Sequence, residues 1–171
     1  MGIEIRKLDP SGGEFARWDE YVFAQEDAHM FHRAGWSRVV ERALKRPSHF
    51  LYAEEGGEIV GVLPLVHVKS LLFGNALIST GFFVYGGPLA QREDVHAALD
   101  DAAWKLAHEV GATSLEYRNQ SRMRPEWVAR EDSHATFKRA IDPDPDVNLK
   151  AIKRKQRAVV QVAGGGPVLR F

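Results

Sequence analysis

The chain has 171 residues, 23 basic and 23 acidic side chains, and no cysteine. That length suffices for one domain with a real core. The charge balance argues against a basic surface spread over the whole molecule, hence against a sequence-specific nucleic-acid binder, and the absence of cysteine excludes disulfides, thiolate metal sites and cysteine nucleophiles.

The opening "MGIEIRKLDPSGGEF" carries Glu4, Arg6 and Lys7 and no apolar run, so it does not read as a signal peptide and the cytoplasm is the expected compartment. "IEIRKL" alternates as a short strand does. "GEFARWDEYVFAQ" follows with Phe15, Trp18 and Val22 at helical spacing, and "GWSRVVERALKR" predicts a second helix with Trp36, Val39, Val40 and Leu44 on one side. In "HFLYAEEGGEIVGVLPLVHV", Gly56-Gly57 between two apolar runs predicts a tight hairpin, and Pro64 predicts an edge or a bulge. Residues 70–90, "SLLFGNALISTGFFVYGGPLA", carry no charge, but repeated glycines, Asn75 and Pro88 interrupt them. They read as a buried strand with loops rather than a transmembrane helix, with contact at the inner-membrane surface as the alternative. "REDVHAALDDAAWKLAHEVG" predicts a long helix with a stripe of Val95, Leu99, Ala102, Leu106 and Val110. "TSLEYRN" and "HATFKRAI" predict strands. "DPDPDVNLKAIKRKQRAVVQ" predicts a last helix with Asp144 as cap and Pro145 in its first turn. The order predicts one α/β (α+β) domain with a mixed sheet flanked by helices, and it resembles the GNAT acyltransferase fold.

GNAT enzymes hold the pyrophosphate of coenzyme A on backbone N–H groups of a Q/R-x-x-G-x-G/A loop at the start of the long helix. Here that loop is "YGGPLAQRED": Pro88 removes an N–H, the glycine spacing differs, and Glu93 and Asp94 would repel phosphate, so Gly86-Gly87-Pro88 reads as a turn. His29 and His32 stand three apart, a spacing that can share a metal, but without a third ligand nearby no metal is assigned. Glu116, Arg118 and Asn119 end a strand, where α/β proteins place site residues; an exposed ion pair is the competing reading. Trp104 points away from its helix's apolar stripe and calls for a covering loop, domain or partner. Residues 148–171 hold Lys150, Lys153, Arg154, Lys155, Arg157 and Arg170 and no acid. On one helix Lys150, Arg154 and Arg157 would share a face, either solvated or an anion site.

The phrases "FHRAGWSRVVERAL", "LPLVHVKSLLFGNALIST", "VYGGPLA", "LEYRN" and "DPDPDVNLKAIKRKQRA" together resemble FemAB-type acyl and aminoacyl transferases, most closely the branch associated with exosortase (PEP-CTERM) systems. The resemblance runs from about Phe31 to Ala158. FemAB-type proteins are cytoplasmic and consist of two tandem GNAT-like halves. The resemblance therefore implies a GNAT-like N-terminal domain over 1–143 and a basic linker helix and aberrant tail over 144–171, with the second half absent. It implies transfer onto a cell-envelope precursor, a peptidoglycan peptide or an exopolysaccharide-related molecule, by an isolated half whose own activity is in doubt. The donor would be aminoacyl-tRNA or an acyl-coenzyme A, and no bound cofactor is assigned. Arg154 and Arg157 would contact the anionic substrate, with Lys150, Lys153, Tyr85, Glu116, Arg118 and Asn119 as further substrate-binding candidates and no catalytic base assigned. The missing half, or self-association, would cover the surface left open. The alternatives are an N-acetyltransferase using acetyl-coenzyme A and a non-catalytic anion-binding module.

Overall fold

The hairpin at Gly56-Gly57 organises the sheet. Both glycines take positive φ, 61° and 89°, which a two-residue turn between twisted strands requires. The turn joins β2 (Ser48–Glu55) to β3 (Glu58–Ser70), the longest strand. In this computed structural model, residues 2–9, 11, 13–70, 74–120, 122–131 and 135–163 are described. Two compact units result, Met1–Trp127 and Val128–Phe171.

In the first unit, β1 (Glu4–Lys7), β2, β3, β4 (Gly74–Ser79) and β6 (Ser114–Glu116) lie side by side in that order, and β5 (Leu89–Ala90) pairs with β3. All pairings are antiparallel except β4 with β6. α1 (Phe15–Phe23) and α2 (Gly35–Arg42) follow β1, and α3 (Glu93–Glu109) links β5 to β6.

Helices cover both faces, so β2 shows no polar alternation: Phe50 and Tyr52 pack with Trp18 and Val22 of α1, while Leu51 and Ala53 pack with Val95, Leu99, Ala103 and Ala107 of α3. Trp18 is fully buried against Phe50 and Tyr52, and its indole N–H donates to the His32 carbonyl at 2.7 Å. Each such large apolar side chain contributes about 1.5–3 kcal/mol when taken out of water.

Several details differ from the sequence reading. Pro64 lies in the central strand, fully buried opposite Phe50. Its missing N–H is tolerated because β5 pairs with Gly61 and Val62, β4 takes over only from Leu65, and Pro64 falls in the gap between them. The bulge sits instead in β2, between Ala53 and Glu54. On α2, Val40 and Ser37 face inward and Val39 is exposed, as is Leu44 just beyond the helix end. On α3 the inward stripe also takes in Ala103 and Ala107, which are fully buried, with Ala102 and Leu106 half-buried against the same cluster; the small side chains let the helix approach the sheet closely.

The second unit holds α4 (Pro145–Lys150) and α5 (Arg154–Ala163). Asp144 caps α4 by accepting from Asp146 N–H at 2.8 Å, with Pro145 in the first turn, as expected. "HATFKRAI" forms no strand: the described residues 135–141 are irregular, with Phe137 and Ile141 exposed. The single basic helix is likewise corrected. The chain leaves α4 at Ala151, and Lys153 opens a new helix, its carbonyl accepting from the N–H groups of Gln156 and Arg157. One unbroken helix would stack Lys150 on Arg154 and Lys153 on Arg157, like charges four residues apart that each weaken it.

Candidate functional site

The N-terminus of α3 is occupied by the protein's own charges. Arg92 sits at the N-cap with Glu93 and Asp94 in the first turn. Its guanidinium bonds Asp94 at 2.5 and 3.0 Å and Glu55 at 2.5 Å. Asp94 in turn accepts the Val95 N–H at 3.0 Å, and Arg92 holds its carboxyl below the usual carboxylate range. Glu93 is ion-paired to Arg124. One of the N–H groups that would bind phosphate, that of Val95, thus already serves a carboxylate, and two carboxylates stand at the positive helix end.

A cleft of about 190 Å³ opens beside this helix end. Its walls are the 27–32 turn with Asp27, His29 and His32, the Gly86–Ala90 segment, His96 of α3, and Asn119, Gln120 and Met123 beyond β6. No lysine or arginine lines it.

The 27–32 turn is built from reciprocal bonds. The His29 and His32 side chains each accept a backbone N–H of the other residue, His32 Nδ1 at 3.1 Å from the His29 nitrogen. His32 is only 3 % exposed. Burial first, and His29 beside it, lower its pKa to about 4, so it is neutral at physiological pH. Its Nδ1 is committed to this turn. His29 stacks on Tyr85 at 4.8 Å, and the Gln120 side-chain amide closes onto its Nε2.

The opposite wall depends on two glycines. A Cβ at Gly86 would lie 2.3 Å from Thr80 Oγ1, and one at Gly87, whose φ is 96°, would lie 1.7 Å from Asn119 Oδ1. Only glycine allows this double close approach. The preceding loop is strained: Thr80, Phe82 and Tyr85 all take positive φ. Phe83 anchors it against Phe31 and Trp36, with ring centroids 4.9 and 4.4 Å away.

Two acceptors in the walls are unmatched. His96 Nε2 donates to the Ala90 carbonyl at 2.9 Å, which leaves Nδ1 as a lone-pair acceptor, buried and without a partner. Asn119 Oδ1 is buried without a partner as well. Each is a buried acceptor that calls for a hydrogen-bond donor.

Of the residues singled out from the sequence, Asn119 lines the cleft and Tyr85 stacks on its His29 wall. Arg118 ties the strand end to the strained loop: its N–H donates to Ser79 Oγ at 2.9 Å and its Nη1 to the Phe83 carbonyl at 3.1 Å. Glu116 pairs with Arg118 at 3.0 Å, which is the exposed ion pair of the competing reading. Lys150, Lys153, Arg154 and Arg157 belong to the second unit; Arg154 and Arg157 still share α5, whereas Lys150 lies on α4. Arg170 and the glycine run lie outside the described residues. Sequence reasoning missed His96 and Gln120: one looked like part of an amphipathic helix, and the other carried no motif. Trp104 meets Trp127 edge-on at 5.8 Å but is otherwise left exposed.

Among the described residues no helix is long and apolar enough to cross a membrane. No protein-family model and no curated protein matches the chain. Solved structures do. A ribosomal-protein-alanine N-acetyltransferase from Brucella melitensis biovar Abortus matches with a TM-score of 0.54 at 17 % identity, over 82 % of this chain and 100 % of that one. A GNAT family acetyltransferase from Staphylococcus aureus matches at 0.52 and 10 %, with the same coverage. A protein described as a transcriptional regulator from Bacillus halodurans matches at 0.52 and 14 %, also over 82 % and 100 %, so fold alone does not fix activity. The first unit's mixed sheet between α1, α2 and α3 and these alignments agree: the chain has the fold of the GNAT acetyltransferases.

Proposed function

We propose that this chain is a GNAT-type acyltransferase domain of the FemAB kind, serving transfer of an acyl or aminoacyl group to an amine on a cell-envelope precursor. The observation that carries this reading is the α3 N-terminus, where Arg92, Glu93 and Asp94 fill the place a coenzyme A pyrophosphate would need. The reaction is attack of a neutral amine on an activated ester, with loss of the alcohol or thiol and of the amine proton. The residues of the cleft contribute mainly by positioning. The unmatched His96 Nδ1 and Asn119 Oδ1 favour an N–H donor in the cleft, and Gln120 and Tyr85 hold His29 at its wall. Arg154 and Arg157 on α5 supply guanidinium forks suited to the precursor's phosphate or carboxylate.

A second reading is N-acetylation from acetyl-coenzyme A. It is favoured by alignment of 82 % of this chain with the whole of a ribosomal-protein-alanine N-acetyltransferase. Calorimetry with acetyl-coenzyme A separates the two. The first reading expects no saturable heat in the micromolar range, together with transfer of label from aminoacyl-tRNA to a nucleotide-linked envelope precursor. Micromolar binding of acetyl-coenzyme A without that transfer selects the second.

A further inference from the structure

A second cleft, about 260 Å³ in volume, lies between the middle of α3 and the 124–127 turn. It shares no lining residue with the cleft described above. We infer that it is a binding site for a small organic ammonium cation.

The walls carry the chemistry. Trp104 and Trp127 meet at 66° with centroids 5.8 Å apart, forming an aromatic corner. Trp104 remains 41 % exposed, so its ring is available to a ligand. Asp100, Asp101 and Glu126 add three carboxylates against the single cation Arg124.

Arg124 does not neutralise this corner. Its Nε is spent on Asp100 Oδ2 at 2.6 Å and its Nη1 on Glu93. Asp101 and Glu126 have no ion-pair partner among the described residues. Asp100 is only 8 % exposed and is held between Arg124 and the Tyr117 hydroxyl behind the cleft. The exposed carboxylates of Asp101 and Glu126 beside two indoles make a locally negative, partly apolar corner. An anion is repelled there, and a neutral apolar ligand leaves the carboxylates unused.

The class of cation follows from geometry. Among the described residues no three acidic or histidine side chains converge closely enough to hold a metal ion. A weakly hydrated organic ammonium is larger, needs no tight shell of oxygen ligands, and gains from indole faces what a compact, strongly hydrated ion does not.

The test uses choline as the cation and 3,3-dimethylbutan-1-ol as its neutral isostere. The chain has four tryptophans, so four indole N–H signals can be followed by NMR. Saturable shifts confined to Trp104 and Trp127, with Trp18 and Trp36 unmoved, are expected on adding choline in the millimolar range. The alcohol should bind roughly tenfold more weakly, in keeping with a cation–π and charge contribution. Replacing the exposed acids, Asp101→Asn with Glu126→Gln, should weaken choline by a similar factor while leaving the four signals dispersed. Absence of a saturable shift, equal response to the alcohol, movement of all four indoles together, or an unchanged affinity in the folded double variant each overturns the assignment.

Discussion

Acidification should destabilise the fold through His32 in a defined window. His32 is buried in the turn that braces the cleft, and its pKa falls from 6.5 to about 4 mainly because burial penalises the charged form. The sign follows directly. The folded pKa lies below the unfolded one, so the unfolded chain binds the extra proton first. Stability is therefore full above pH 6.5 and declines as pH falls from 6.5 toward 4. At about 1.4 kcal/mol per tenfold, the whole displacement corresponds to about 3 kcal/mol, a large part of a typical domain's total. His49 is lowered to about 4 in the same direction, by burial and then by Lys7, but it is only partly buried and its share is smaller. Urea unfolding at pH 7, 6, 5 and 4.5 measures the slope, with His32→Gln as the comparison. The variant should be less stable at pH 7 but should lose markedly less on acidification. The ring protons of His32, followed by NMR in the folded protein, give the direct check. Titration of His32 near 6.5, or an identical pH slope in the variant, refutes the reasoning.

Gly87→Ala should cost about 2 kcal/mol or more, since it combines a positive φ with a Cβ driven into Asn119; urea unfolding reads it, and a loss under about 0.5 kcal/mol would show that the wall is not tightly packed. Arg124→Met should cost about 3–5 kcal/mol, because it strands the buried Asp100 carboxylate. Adding Asp100→Asn to that variant should recover part of the loss, and a double-mutant cycle measures the coupling.

The order of elements was legible because the signals are local: a Gly-Gly turn between apolar runs, a long amphipathic helix, an Asp-Pro start. Local signals fail where a distant residue decides. Asp100 sits on the same side of α3 as Trp104 and looks like part of a solvated face, yet it is buried because Arg124, 24 residues on, reaches back to it. Val39 and Ser37 exchange the places that apolarity alone assigns, since Ser37 satisfies its hydroxyl internally by donating to the Ala34 carbonyl at 2.7 Å. The cleft was only half legible. Asn119 and Tyr85 could be singled out near a strand end and a glycine turn, but His96 presents itself to the cleft only because Ala90 fixes its ring. The expected strand at 134–141 failed for want of a partner; its described residues carry apolar side chains without any neighbour to bury them.

The α3 N-terminus was the most informative place in the sequence, and the structure sharpens why. A helix start attracts phosphate because its first N–H groups lack partners and its dipole is positive. Those two properties equally attract carboxylates, and here they have done so. Asp94 takes the Val95 N–H, Arg92 holds Asp94 in place, and Arg124 holds Glu93 beside it. A phosphate arriving at this end would have to displace a bonded carboxylate and then sit next to another. The site would have to break an existing set of ion pairs before making the first new contact, so substituting Glu93 and Asp94 alone would expose Arg92 and Arg124 rather than a backbone cradle. Pro88, which supplies no N–H to the preceding loop, keeps that cradle incomplete even then.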